Sequence, residues 1–274
     1  MIIDGRAIAA DILEHVKERL AAIDREIVVR AVVVQPSAVT ESYLRTKTKQ
    51  AEKAGMRMEI VRLDVAATTE EVVAAVEAQG ADAVIVQLPL PEDLDAVQIL
   101  DAIPLTQDAD VLSHAAFERF AAGEPDALLP PVTSALREVL ILSGQSPSEK
   151  SAVVIGSGKL VGQPAALWLT HAGAVVSVID LDGGDWSLLQ EADIVVLGAG
   201  SAGLLKPEHI KDGVVILDGG TSESNGSLVG DADPVCAEKS SVFTPVPGGI
   251  GPISVACLFQ NVAELVLRKS SNGG

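Results

Sequence analysis

The sequence predicts an α/β fold of two parallel-sheet domains, the second a Rossmann-like dinucleotide-binding domain, with a cleft between them. Three observations lead there. Apolar residues make up 48% of the chain but aromatics only 3%, so the core is aliphatic, built from Val, Ile, Leu and Ala. Short β-branched runs alternate with Ala-rich stretches of helical period, the rhythm of parallel β-α-β units. One such run leads directly into Gly156-Ser157-Gly158-Lys159-Leu160-Val161-Gly162 and then a helix. The length, 274 residues, is enough for two domains.

In chain order, residues 5–23 place Ile8, Ile12, Val16 and Leu20 at helical spacing, and 27–34 is a β-branched strand. Residues 40–54 read as a helix with Gly55 as its stop. A strand at 58–63 and a helix at 69–79, capped by Thr68 or Thr69, follow. The apolar strand 82–87 is ended by Leu88-Pro89-Leu90-Pro91. A second unit begins near Lys150 with a strand at 152–155, the glycine turn, and a helix to His171. Strands at 174–179, 193–197 and 214–217 come next. A last helix at 252–267 carries Pro252 in its first turn, and 270–274 reads as a disordered tail.

The charge balance excludes whole classes of partner. With 38 acidic against 20 basic residues the net charge is −18, which repels phosphate backbones and anionic lipid. Neither nucleic-acid nor membrane partners are expected. No apolar run approaches the length of a membrane span, and residues 1–6 lack the pattern of a signal peptide. Cys236 and Cys257 have neither CxxC spacing nor a neighbouring His; they read as free thiols in a reducing cytoplasm, and no metal site is expected.

A strand that opens through glycines into a helix offers main-chain amides to a pyrophosphate. The spacing here, Gly-x-Gly-x-x-x-Gly, is one residue longer than the usual fingerprint, and a tight turn alone would look similar. An acid after the next strand accepts hydrogen bonds from ribose hydroxyls and repels a 2′-phosphate. Asp180 and Asp182 stand there without an arginine, which favours NAD over NADP, although a solvated acidic loop has the same appearance. The dinucleotide set is Gly156, Ser157, Gly158, Gly162, Asp180, Asp182 and Gly200.

Three features are candidates for a substrate site. Tyr43 and Lys47 are four residues apart on one helical face, within a basic stretch that includes Arg45, Lys49 and Lys53. A solvated face would explain that pattern too. Gln87 ends an apolar strand, where open α/β sheets place ligand groups, or simply marks a loop boundary. Thr244-Pro245-Val246-Pro247-Gly248-Gly249-Ile250-Gly251-Pro252 combines rigid prolines with glycines that admit close approach, or forms a structural turn.

Together these pieces resemble the bifunctional methylenetetrahydrofolate dehydrogenase/cyclohydrolase family over nearly the whole chain. The most specific stretches are Val86-Gln87-Leu88-Pro89-Leu90-Pro91 and Thr244 to Pro252, with the Tyr43/Lys47 helix and Ile155 to Pro164 in family order. The resemblance implies residues 1–140 as a folate-binding catalytic domain completed by helix 252–268, residues 141–251 as the NAD(P)-binding domain, and a homodimer. It implies that Tyr43 stacks on the aminobenzoyl group, that Lys47 and Gln87 serve the reacting carbon, and that Asp110 binds the pterin. Thr40, in the place of a usual serine, would bind substrate along with Pro247, Gly248 and Gly249.

Departures are informative. Gln107 and Val111 replace a common lysine and a common glycine around Asp110, so the loop is expected to differ in shape. Pro131-Val132-Thr133-Ser134 departs from Pro-Cys-Thr-Pro. Ser157-Gly158 replaces Arg-Ser, and Asp180-Leu181-Asp182 replaces His-Ser-Lys/Arg, removing two sets of 2′-phosphate contacts.

The implied activity is NAD(P)-dependent oxidation of 5,10-methylenetetrahydrofolate to the methenyl form and its hydrolysis to 10-formyltetrahydrofolate. Hydrolysis asks Lys47 to take a proton near neutrality, which requires desolvation and suitable neighbours. The alternatives are a monofunctional NAD-dependent dehydrogenase without cyclohydrolase activity, a shikimate-type dehydrogenase, and a silent binding protein.

Overall fold

The computed structural model describes residues 1–36, 38–224 and 227–272. The chain divides into two compact units, one of residues 10–131 with 255–274, the other of residues 1–9 with 132–254.

In the first unit, α1 (Gly5–Leu20, whose opening residues belong to the other unit) leads to β1 (Val28–Val34), α2 (Ala38–Lys53), β2 (Arg57–Leu63), α3 (Thr69–Glu77) and β3 (Ala83–Val86). The three strands are parallel in the order β2-β1-β3, with Val32 opposite Val61 and Val86. Every residue of β1 is buried, as a strand covered on both faces must be. Its one charge, Arg30, is satisfied by Glu59 at 2.8 Å and by the carbonyls of Ala78 and Gln79. Gly55 ends α2 at φ 77°, as expected of a helix stop. Thr68 and Glu71 form a reciprocal capping box at the start of α3. Val72 and Val76 of α3 pack with Val32, Val84, Val86 and Ile99.

Three helices have no counterpart in the sequence reading: α4 (Ala96–Asp101), α5 (His114–Ala121) and α6 (Pro131–Leu142). α4 is too short to show a helical period and is marked by its cap, whereas α5 buries Ala116 and Phe120 one turn apart. Asp95 accepts from Gln98 N and Ser113 from Ala116 N.

The second unit carries β4 (Ser151–Ile155), α7 (Gly162–His171), β5 (Val175–Ile179), β6 (Ile194–Leu197) and β7 (Val215–Asp218). A small antiparallel hairpin, β8 (Ser222–Ser224) with β9 (Ser227–Val229), and β10 (Val242–Phe243) complete it. Hairpin and β10 are short and were not legible as strands. The five parallel strands lie in the order β10-β7-β6-β4-β5. Strand succession therefore reverses between β4 and β6, the place where doubly wound sheets open a ligand crevice at their carboxyl ends. Beyond β10 the N-terminal segment adds a parallel bridge, Ile2 to Phe243, with Ile3 N donating to Phe243 O and Phe243 N to Met1 O, each at 2.9 Å.

The last helix, α8 (Ile250–Asn272), corrects two expectations. Residues 270–272, read as a tail, continue it. It also has the length and mean hydropathy (1.6) of a membrane span, which no segment was expected to approach. However, 61% of that window is buried within the protein, as in a core helix.

Candidate active site

In the first unit the sheet reverses at β1, and Gln87 follows β3 at its carboxyl end, its amide bonded to Val32 O at 2.9 Å. Lys47, on α2, donates from Nζ to Gln87 Oε1 at 3.1 Å, while Gln87 Nε2 donates to Leu88 O at 2.8 Å. The glutamine side chain is thereby oriented at both ends. Thr40, Tyr43 and Lys47 recur at three- and four-residue steps along α2 and share a face. Tyr43 is exposed, and Arg45, Lys49 and Lys53 are a solvated face. Of that basic stretch, Lys47 is the member turned onto Gln87.

Asp110 stands in the same unit and feels the charge of Lys47. Removal from water pushes its carboxyl above the ordinary range; Lys47 pulls the other way and the neighbouring Asp108 adds to the rise. Its loop is built by residues that sequence reasoning gave no role. Asp108, buried, accepts from Leu112 N at 3.1 Å, Ser113 N at 2.8 Å and Ser113 Oγ at 2.6 Å. Its own carboxyl is also pushed up by burial, against these bonds. Asn261 of α8 donates to Ala109 O and Leu129 O, both at 2.9 Å. Val111 has φ 57°, the left-handed conformation that a glycine adopts freely. The loop thus takes a glycine-type turn at Val111 in spite of the substitution.

The second unit carries the dinucleotide candidates and also Pro247, Gly248 and Gly249. Gly162 opens α7 so close to the turn that a Cβ on it would lie 1.8 Å from Gly156 O. Gly156 has φ 96°, and a Cβ there would lie 2.7 Å from Gly198 O. These are positions a side chain would fill, so turn and helix form a main-chain cradle. No side chain caps α7; Gln163 N donates to Gly158 O at 3.1 Å and Pro164 has no amide hydrogen, so Gly162 N is the amide at the helix start left for an anion. The residues fit a dinucleotide pyrophosphate.

Asp180 follows β5, and its Oδ1 accepts from Ser157 N at 2.9 Å, holding a carboxylate against the turn. Asp182 is exposed in the adjacent Asp180–Gly183 turn. Gly200, at φ 65°, lies in the loop after β6. Behind this face stand two more residues that were not anticipated, Asp218 and Asp231, both buried. A lone acid beside glycines at a strand end, as in Leu217-Asp218-Gly219-Gly220 and Gly230-Asp231, is the signal that could have found them.

The chain is similar to known proteins over nearly its whole length. The model of the tetrahydrofolate dehydrogenase/cyclohydrolase catalytic domain matches residues 3–110, and that of the family's NAD(P)-binding domain matches residues 130–270. The chain is 34% identical to the bifunctional protein FolD of Magnetococcus marinus, covering 96% of each. The crystal structure of the bifunctional FolD methylenetetrahydrofolate dehydrogenase/cyclohydrolase of Campylobacter jejuni superimposes with a TM-score of 0.94 at 30% identity, over 98% of this chain and 99% of that one. The Trypanosoma brucei FolD enzyme, solved with NADP and an inhibitor, gives 0.92 at 31% identity, over 98% of both. With both domain models matched and relatives similar from end to end, the chain belongs to the tetrahydrofolate dehydrogenase/cyclohydrolase family.

Proposed function

We propose that this protein oxidises 5,10-methylenetetrahydrofolate with a nicotinamide dinucleotide and hydrolyses the methenyl product to 10-formyltetrahydrofolate. The observation that carries the reading is the Lys47–Gln87 pair, 3.1 Å apart and electrostatically coupled to Asp110, in a chain matched by both domain models. Relatives named bifunctional favour both activities over a dehydrogenase alone, and family membership displaces the shikimate-type alternative.

The folate roles go to Tyr43 for stacking, to Thr40, Pro247, Gly248 and Gly249 for binding, and to Asp110 for the pterin ring. The carboxyl of Asp110 offers acceptors to the N–H groups of the ring edge. The dinucleotide, when bound, accepts the hydride from the methylene carbon; the chain's share is to orient both partners. Oxidation leaves a cationic methenyl carbon. In the second step water adds to that carbon and loses a proton, for which Lys47, with its nitrogen held by Gln87, is the acceptor we assign; the carbinolamine then opens by breaking the bond from the carbon to N5, the hydroxyl proton passing to N5 and the carbonyl of the 10-formyl group forming. Lys47→Met should lower methenyl hydrolysis by about 10²-fold or more; hydrolysis at the native rate would remove Lys47 from the mechanism.

Within the dinucleotide, NAD is preferred over NADP. Support comes from the Asp180 carboxylate on the Ser157 amide, a place where a 2′-phosphate meets negative charge. Steady-state rates should favour NAD by at least about tenfold, roughly 1.4 kcal/mol, and a preference for NADP would refute the assignment. We also assign a homodimer, to be checked by light scattering against the 28.3 kDa chain, and a cytoplasmic location, in keeping with buried thiols at Cys236 and Cys257.

A further inference from the structure

We propose that Asp231 is a positioning residue for the dinucleotide: its buried carboxylate holds the main-chain amides of residues 199–201 and so fixes the loop that faces the glycine turn. Oδ2 accepts from Ala199 N at 2.8 Å and Gly200 N at 2.9 Å, and Oδ1 from Ser201 N at 2.7 Å. Three successive amides converging on one point form a nest, a shape that elsewhere binds anionic ligands. Here the protein supplies the anion itself, from a residue that is 0% exposed.

The held loop stands at the reversal of the sheet. Gly198 N donates to Ile155 O at 2.9 Å, at the end of β4. A Cβ on Gly156 would lie 2.9 Å from Ala199 N, so the turn after β4 and the loop after β6 are in direct contact. Any shift of residues 199–201 is therefore transmitted to the turn that receives the pyrophosphate.

Space for the carboxylate is made by the paired glycines after β7. A Cβ on Gly220 would lie 2.1 Å from Asp231 Oδ2. Asp218 anchors the same region, accepting from Gly220 N at 3.0 Å and Ala232 N at 2.8 Å. Asp218 N in turn donates to Thr244 Oγ1 at 2.7 Å. The loops after β6, β7, β9 and β10 are thus tied together behind the face, with Asp231 the member that reaches the switch point. A second consequence concerns donors: the amides of 199–201, like those of Gly156 and Ser157, are already engaged, which leaves the pyrophosphate to the amides of 158–162.

This inference rests on the dinucleotide site proposed above, and the tests separate the two. Hydrogen exchange on the native protein, with and without NAD, comes first. NAD should slow the amides of 158–161, while those of 199–201 are protected without it and slow less than threefold further. No slowing at 158–161 would refute the site itself; slowing of 199–201 by threefold or more would overturn the role of Asp231. Next, Asp231→Asn turns an amide NH2 toward the nest. KM for NAD should rise at least tenfold, with methenyl hydrolysis, which needs no dinucleotide, within twofold of native. An unchanged KM, or a parallel loss of hydrolysis, would make Asp231 merely structural and overturn the proposal. Gly220→Ala, which forces the carboxylate aside without removing it, should reproduce the same selective rise and provides the test if Asp231→Asn does not fold.

Discussion

Replacing Gly162 by alanine should separate the two activities of this enzyme. The added methyl would lie 1.8 Å from Gly156 O and 2.7 Å from Gly156 C, both main-chain atoms that cannot rotate away. A carbon–oxygen contact needs about 3.3 Å, so the turn and the first residue of α7 have to part by about 1.5 Å. Misplacing a positioned group by about 1 Å costs on the order of 10²-fold, close to 2.7 kcal/mol in the activation barrier. Dehydrogenase kcat/KM for NAD should therefore fall about 100-fold or more. Methenyl hydrolysis, measured on the same preparation by the loss of the methenyl absorbance, should stay within about threefold. A thermal melt establishes that the variant is folded. A folded Gly162→Ala enzyme with native NAD kinetics would show that this turn and helix do not hold the dinucleotide.

Other perturbations follow from the same geometry. Asp180→Ser removes the acceptor of the Ser157 amide and the charge opposite a 2′-phosphate, so the ratio of NADP to NAD efficiency should rise at least about tenfold; an unchanged ratio would place cofactor choice elsewhere. Asp218 is pushed up to about 7 by burial, with the Asp231 charge adding to the rise. A carboxyl raised above its unfolded value of about 4 contributes stability that is complete below that value and is lost as pH climbs through about 7. The unfolding free energy of the native protein, from denaturant titration, should accordingly fall relative to Asp218→Asn between about pH 4 and pH 8, by up to about 4 kcal/mol; parallel curves would contradict this. Val111→Gly relieves left-handed strain of about 1–2 kcal/mol but surrenders a buried side chain of similar worth. The net change in unfolding free energy should be within about 1 kcal/mol, far smaller than a buried valine normally costs, and a loss above about 3 kcal/mol would show that the strain is absent.

What was legible in the sequence followed from periodicity and from special main-chain positions. β4 and β6, and β1 apart from Arg30, announced themselves as aliphatic runs because they are covered on both faces, and α3 through a cap at Thr68 or Thr69, which the structure places at Thr68. The glycine turn was readable because glycine is required where α7 meets Gly156. Lys47 and Gln87 were singled out separately, one by helical spacing and one by strand position, and the structure brings them together although they stand 40 positions apart. Residues whose importance exists only in three dimensions stayed hidden. Asn261 is one polar side chain in an apolar helix until its bonds to Ala109 and Leu129 are seen. Asp231 reads as one more acid in an acidic chain, because its three partners precede it by some 30 residues. Helix α4 was missed because six residues barely cover a repeat of 3.6, whereas α5 carries the repeat in Ala116 and Phe120 and was overlooked.

The bridge from Ile2 to Phe243 bears on how the second unit assembles. Its first residues border the strand that would otherwise end the sheet, and the Met1 ammonium donates to Ser241 O at 2.6 Å. Segments some 240 positions apart have to meet before that ladder is finished, so loop closure makes it one of the slower events of folding. Until then the rim at Phe243 presents unpaired peptide groups to any neighbouring chain. An extension grafted ahead of Met1 would burden this late seam, leaving the interior strands untouched.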